Sequence, residues 1–132
     1  MLEKKVTGIT QCGREITVRE KKWYRADKTI RHNVFMPNQN GEVSVYRTKN
    51  LTCQQIDEIG RLHVAEILNK KLLGRAEILT SSILKQNLKI EADPEPHPRH
   101  ANIIGWPTDK SKHKMFAIEL AAEAQLHLIN NP

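Results

Sequence analysis

Val43-Ser44-Val45-Tyr46-Arg47-Thr48-Lys49-Asn50-Leu51-Thr52-Cys53-Gln54-Gln55-Ile56-Asp57-Glu58-Ile59-Gly60 changes its apolar period half-way along. Residues 43–47 alternate apolar and polar side chains, the pattern of a half-buried strand. Thr52 and Gln55 then stand at the spacing of a capping box, in which each side chain satisfies the other's free backbone N–H. Beyond them Ile56, Ile59, Gly60, His63, Val64, Ile67 and Leu68 recur at helical spacing. This predicts an amphipathic helix from about Cys53 to Lys70, closed by Lys70 and Lys71 against the helix dipole. A strand period giving way to a helix period is the mark of a mixed α and β chain.

Upstream, the first twenty residues read as a β-hairpin, with Val6 and Ile9 on one arm and Ile16 and Val18 on the other. Gly13 in Gln11-Cys12-Gly13 offers the positive φ such a turn demands. Asn33-Val34-Phe35-Met36 reads as a short strand stopped by Pro37. Asn38-Gln39-Asn40-Gly41 is a turn, so Val43–Arg47 is expected to pair back on Phe35.

Downstream, Gly74 punctuates, and Arg75 to Thr80 reads as a strand with Ala76 and Ile78 on one face. Ser81 or Ser82 opens one turn of helix, and Leu88–Glu91 alternates again. Three alternate prolines make 93–99 a stiff, extended loop. His100–Trp106 reads as a buried strand stopped by Pro107. A last helix, roughly Thr108–Ile129, carries Met115, Ile118, Ala122, Leu126 and Ile129 as its inner stripe. The expectation is one α+β domain over 1–132: an antiparallel or mixed sheet packed against two long amphipathic helices. Its N-terminal part, about 1–50, is β-rich and basic, and the part from about 51–132 is α/β.

The formal charge is +6. Residues 1–50 hold 11 Lys/Arg and 5 Asp/Glu, and residues 51–132 hold 10 of each, so the whole excess lies in the first part. Seven cations, Arg14, Arg19, Lys21, Lys22, Arg25, Lys28 and Arg31, interleave with Trp23 and Tyr24. That mixture suits phosphate contact with base stacking, or an acidic protein surface. Equally, Trp23 can serve as a core anchor within a solvated rim. The expected function is therefore a small binding or adaptor module that meets nucleic acid or an acidic protein partner. Two cysteines without CxxC spacing fit reduced thiols. The absence of an apolar leader or an apolar run of about 18–20 residues points to the cytoplasm, with no membrane partner.

The alternative is a small metal-dependent or acid–base enzyme. Asp93, Glu95, His97 and His100 fall within eight residues. Asp93 or Glu95 would be ligand or base, with His97 and His100 as ligands or acid–base groups. No phosphate-binding glycine loop, metalloprotease helix or nucleophile elbow accompanies them, and no motif asks for a cofactor. His63 on an apolar stripe reads as a boundary histidine, and Cys53 as a thiol in a helix's first turn.

Phe35 and Pro37 near a turn, Gly41-Glu42-Val43-Ser44-Val45-Tyr46-Arg47, the HANIIGWP segment of 100–107 and the AIELAAEA of 117–124 resemble a family of small uncharacterised bacterial proteins. The resemblance runs from Trp23 onward and is most specific at HANIIGWP. It implies a bacterial accessory protein of a multigene or mobile-element cluster and carries over no activity. Tyr24-Arg25 and Ser44, with Glu77 or Glu91 as a late acid, loosely resemble ADP-ribosyltransferase-like enzymes at the level of fold.

Overall fold

The computed structural model describes residues 11–17, 23–62, 72–95 and 97–128. Among these residues six strands form one antiparallel sheet: β1 Gln11–Thr17, β2 Val43–Arg47, β3 Leu72–Leu79, β4 Lys89–Ala92, β5 His100–Ile104 and β6 Gln125–Leu128. Their spatial order is β4-β5-β2-β1-β3-β6. Three α-helices among the described residues, α1 Cys53–Gly60, α2 Thr80–Lys85 and α3 His113–Glu123, accompany it. The α+β class holds. No helix among the described residues is long and apolar enough to cross a membrane.

Strand alternation sorts the side chains. Val43 pairs with Ile103 and Val45 with Ala101, and all four are buried. They join Val34, Phe35, Ala76, Ile78, Ile83 and Leu120 in the core. The intervening residues, Ser44, Tyr46, His100 and Asn102, share the opposite face, because directly paired residues point the same way. Gly13 pairs with both Tyr46 and Glu77, so Glu77 and Arg75 lie on that second face too.

The predicted capping box is present. Thr52 Oγ1 accepts from the Gln55 N–H at 3.1 Å, and Gln55 Oε1 from the Thr52 N–H at 2.9 Å. The helix it opens is described as Cys53–Gly60, with Ile56, Ile59 and Gly60 buried. Residues 63–70, including His63, lie outside the described residues, so the long form of this helix is not established.

Several expectations are corrected. Residues 11–17 are one continuous strand, so Gln11-Cys12-Gly13 is not a hairpin turn. Gly13 sits in the ladder between two partners, where long-range pairing overrides its turn preference. His32–Phe35 is a 3-10 turn that buries Val34 and Phe35, not a strand. Val43–Arg47 therefore pairs with β5 and β1 instead of Phe35. Gly74 does not end an element but lies inside β3, opposite Leu128. A Cβ there would collide with the His127 carbonyl oxygen and stand 2.8 Å from Leu128 Cα, so the β3–β6 approach requires glycine.

The last helix ends at Glu123, and Gln125–Leu128 forms β6 on the edge of β3. Gln125-Leu126-His127-Leu128 alternates polar and apolar, and pairing with β3 selects that period over the helical one. The inner stripe also moves. Ala117, Leu120 and Ala121 are buried, whereas Met115 is 66% and Ile118 45% exposed. Both rows are apolar, so periodicity alone does not choose between them, and the two alanines permit the closer approach to the 3-10 turn.

Phe35→Ala should cost about 3–5 kcal/mol, because its side chain is fully buried. Gly74→Ala should destabilise by roughly 1–3 kcal/mol through overpacking. Ile118→Asp should stay within about 1 kcal/mol of the parent. Urea melts of the three variants check the assignment, and a severe loss in Ile118→Asp would contradict the orientation of α3.

Candidate functional site

The Asp93–His100 loop is the turn of a β4–β5 hairpin. The Asp93 N–H donates to the His100 carbonyl at 3.0 Å, and the His100 N–H to the His97 carbonyl at 2.9 Å. The expected extended geometry is thus bent back on itself, and β5 carries His100 beneath it. Arg47 on β2 donates Nη2 to the Pro98 carbonyl and Nε to that of Arg99, tying the loop to the sheet.

The four loop candidates separate. His97 Nδ1 accepts the Arg99 N–H at 3.0 Å, and its ring meets the edge of Tyr46. Glu95 is exposed. His100 is buried and lies 5.3 Å, ring centre to ring centre, from Tyr46. Its Nδ1 stands 2.9 Å from the Asp93 carbonyl oxygen and 3.6 Å from Asp93 Oδ2. A carbonyl only accepts, so Nδ1 carries the proton. Nε2 of the neutral ring is then the acceptor for the Ser44 hydroxyl, 2.6 Å away. Asn102 Nδ2 donates to Asp93 Oδ2 at 3.2 Å. Hydroxyl, imidazole and orienting oxygen therefore stand in sequence, the order by which a base activates a nucleophile. No group of three or more His, Cys, Asp or Glu among the described residues converges as a metal site.

A second polar cluster surrounds Arg75, which is buried on β3. Its Nη1 meets Asp57 Oδ1 at 2.9 Å, its Nε meets Glu77 Oε2 at 2.5 Å, and its Nη2 points to Cys53 Sγ at 3.6 Å. Burial disfavours the cation, but Glu77, Cys53 and Asp57 outweigh it and hold its pKa above the ordinary value. Cys53 thus opens α1 as the sequence predicts, engaged with a structural arginine. Glu77 is also committed to Arg75, Glu91 is exposed on β4, and Tyr24-Arg25 lies in a turn outside the six strands. The ADP-ribosyltransferase-like arrangement therefore lacks its early strand.

The cationic residues gather at another place. Tyr24 bridges to Ile30, and the Arg31 N–H donates to the Trp23 carbonyl, closing residues 23–31 into a tight loop. Asp27 Oδ1 accepts from the Thr29 N–H and hydroxyl, and Lys28 at the tip has φ 72°. This loop forms one wall of a cleft of about 700 Å³, with Arg25, Lys28 and His32 along it. The opposite wall is the C-terminal half of α3 and the strand β6. Burial lowers the His32 pKa below the usual 6.5, and Lys114, Arg25 and Arg31 push it the same way. Three cations from two distant segments, Arg25, Arg31 and Lys114, thus bear on His32.

Of the predicted basic residues, Arg25 and Lys28 line the cleft, and Arg31 is exposed beside it. Arg14 lies on β1, while Arg19, Lys21 and Lys22 lie outside the described residues. Sequence reasoning missed His32, Lys114 and the α3–β6 wall. The basic run Lys110-Ser111-Lys112-His113-Lys114 was the available signal.

The HANIIGWP segment folds as β5 followed by a bend at Gly105, φ +88°. Trp106 Nε1 donates to the Ile103 carbonyl at 3.1 Å, and His113 Nε2 donates to that of Pro107 at 2.6 Å. The Trp106 ring packs against His113 and Phe116. These bonds hold β5 to the start of α3. Comparison with protein-family models, curated proteins and solved structures finds no match in any of the three.

Because the folded pKa of His32 is depressed, its contribution to stability is full above the unfolded value near 6.5 and falls away as the pH drops. An NMR titration should place the His32 midpoint below 6.5, and Lys114→Gln should move it upward. An unchanged midpoint in that variant would remove Lys114 from the cluster.

Proposed function

We propose that this chain is a small binding or adaptor module that takes an anionic partner at the cleft between residues 25–32 and the α3–β6 wall. The observation that carries the reading is the placement of Arg25, Lys28 and His32 along one cavity, with Lys114 and Arg31 close enough to act on His32. The net charge alone marks only the first fifty residues, whereas Arg25, Lys28 and His32 are brought to one cavity by a closed loop. An anion placed among them would relieve their mutual repulsion and raise the His32 proton affinity. The partner class is nucleic acid or an acidic protein surface.

The test is a titration of fluorescent single-stranded and duplex oligonucleotides and of acidic peptides across a salt series. Log K should fall linearly with log salt for any of them that binds through several cations. Arg25→Glu with Lys28→Glu should weaken binding by about tenfold or more, since each reversal replaces attraction by repulsion. Retained affinity in that double variant would move the site elsewhere.

A second reading rests on the 2.6 Å Ser44–His100 contact and the Asp93 carbonyl behind it. It is an acid–base enzyme in which Ser44 Oγ attacks an activated ester or phosphoryl centre and passes its proton to His100 Nε2. A fluorophosphonate probe tests it: the Ser44 Oγ–P bond forms as P–F breaks and fluoride leaves. Labelling abolished by Ser44→Ala and by His100→Gln supports the chemistry. Unlabelled folded protein leaves the pair as hairpin support.

A further inference from the structure

The cleft has a composition that a general polyanion does not need. Along α3, Met115, Ile118 and Ala122 form an exposed apolar row at spacings of three and four. Ile118 and Ala122 lie within the cleft itself, together with Ala121, Ala124 and Leu126. Beside this row, β6 is the outermost strand on its side of the sheet among the described residues, so its outer backbone edge can receive another strand. Cations, an apolar row and an open strand edge therefore border one cavity.

Three occupants can be compared. Single-stranded nucleic acid binds through aromatic platforms, and the exposed large apolar residues among the described ones are Met36, Leu62, Met115 and Ile118, none aromatic. A second copy of this chain would bring another +6 charge to a cationic cleft. An extended peptide satisfies all three borders, with main-chain bonds to the strand and side chains on the helix face. The geometry points to an acidic segment of a partner protein laid along β6, with apolar side chains on Ile118 and Ala122 and carboxylates toward Arg25 and Lys28. This rests on the anion-binding reading above and names its partner class.

Strand residues alternate faces, so every second residue of the segment looks toward α3. Those positions would mix acidic and apolar types. The probe is a fluorescein-labelled Glu-Thr-Val-Thr-Glu-Thr-Val peptide, matched by one with the same sequence and alternate backbone N-methylation. A single-stranded oligonucleotide is titrated in parallel. The protein variants are Lys28→Glu, which changes charge, and Ala122→Trp, which fills the apolar floor at an exposed helix position without changing charge. Unchanged melting of both variants verifies their folding.

The peptide should bind, and N-methylation and Ala122→Trp should each weaken it by about tenfold, as loss of a strand edge or a central contact does. Lys28→Glu should weaken it as well, with a flatter salt slope. Peptide affinity insensitive to both N-methylation and Ala122→Trp overturns strand addition while leaving the anion-binding reading intact. Oligonucleotide binding without peptide binding also overturns it and makes the partner a nucleic acid. Concentration-dependent dimerisation abolished by Ala122→Trp would overturn it in favour of a second copy. Absence of binding to either probe at low salt overturns both this inference and the reading beneath it.

Discussion

The seating of α3 on the Val34–Phe35 turn governs the rest of the molecule. Ala117 and Ala121 face inward with Leu120, and the two methyl side chains let the helix come close to a fully buried phenylalanine. Packing at this density does not tolerate a second large side chain in the same layer. At 3.6 residues per turn, the Met115–Ile118–Ala122 row then lies roughly 140° round the helix from the buried one. It is turned outward by geometry, although its residues are no less apolar than those chosen for the core. The helix axis fixed in this way also places Ala124 where the chain leaves α3 and enters β6.

A second constraint acts from the far face of the sheet. Two polar networks occupy it, Arg75 with Asp57 and Glu77, and His100 with Ser44, Asp93 and Asn102. Neither is a source of large net stability, because desolvation offsets most of what the pairing returns. Their effect is on choice of structure. A one-residue slip of β5 against β2 would turn His100 and Asn102 into the apolar core and leave both unpaired. The same slip would expose Ala101 and Ile103. Register is therefore penalised from both faces at once, and the HANIIGWP segment is dense in residues that take part. Its tryptophan and glycine belong to the exit from that strand, where the chain bends toward α3.

What the sequence disclosed and what it hid follow one physical line. Local, self-contained signals were legible: the Thr52–Gln55 box, the alternation of Val43–Arg47, and the apolar strand beginning at His100, which ends at Ile104 before Gly105 and two residues short of the expected Trp106. Decisions made by distant partners were not. Gly13 looked like a turn because its two strand neighbours, Tyr46 and Glu77, are far away in the chain. Gln125–Leu128 fitted a helix continuation and a strand equally, and β3 decided between them. At the candidate site the cations were visible as a count, and Arg25 and Lys28, which line the cleft, stand among the seven singled out. Their convergence with His32 and Lys114 was not, since it depends on α3 docking against the 3-10 turn. The Ser44–His100 contact was hidden for the same reason, being a diagonal across two strands separated by 56 residues.

The division of labour within the cleft follows from the range of each force. Coulomb attraction extends over about a Debye length, ~8 Å at physiological ionic strength, so the cations would act on the proposed anionic partner before contact and on its orientation as it arrives. They do little to distinguish one anion from another. Dispersion and apolar burial act only at contact, and they respond to shape. Under the proposed anion-binding reading, arrival and retention would fall to different residues: loop side chains would set the rate of encounter, and Ile118, Ala122 and Leu126 the rate of escape. Placing these functions on separate elements also protects the fold. The cations stand on an exposed loop braced by Asp27 and Thr29, where like-charge repulsion is screened by solvent. The apolar row rides on a helix whose opposite side is already anchored, so either can vary in sequence without disturbing the core that positions both.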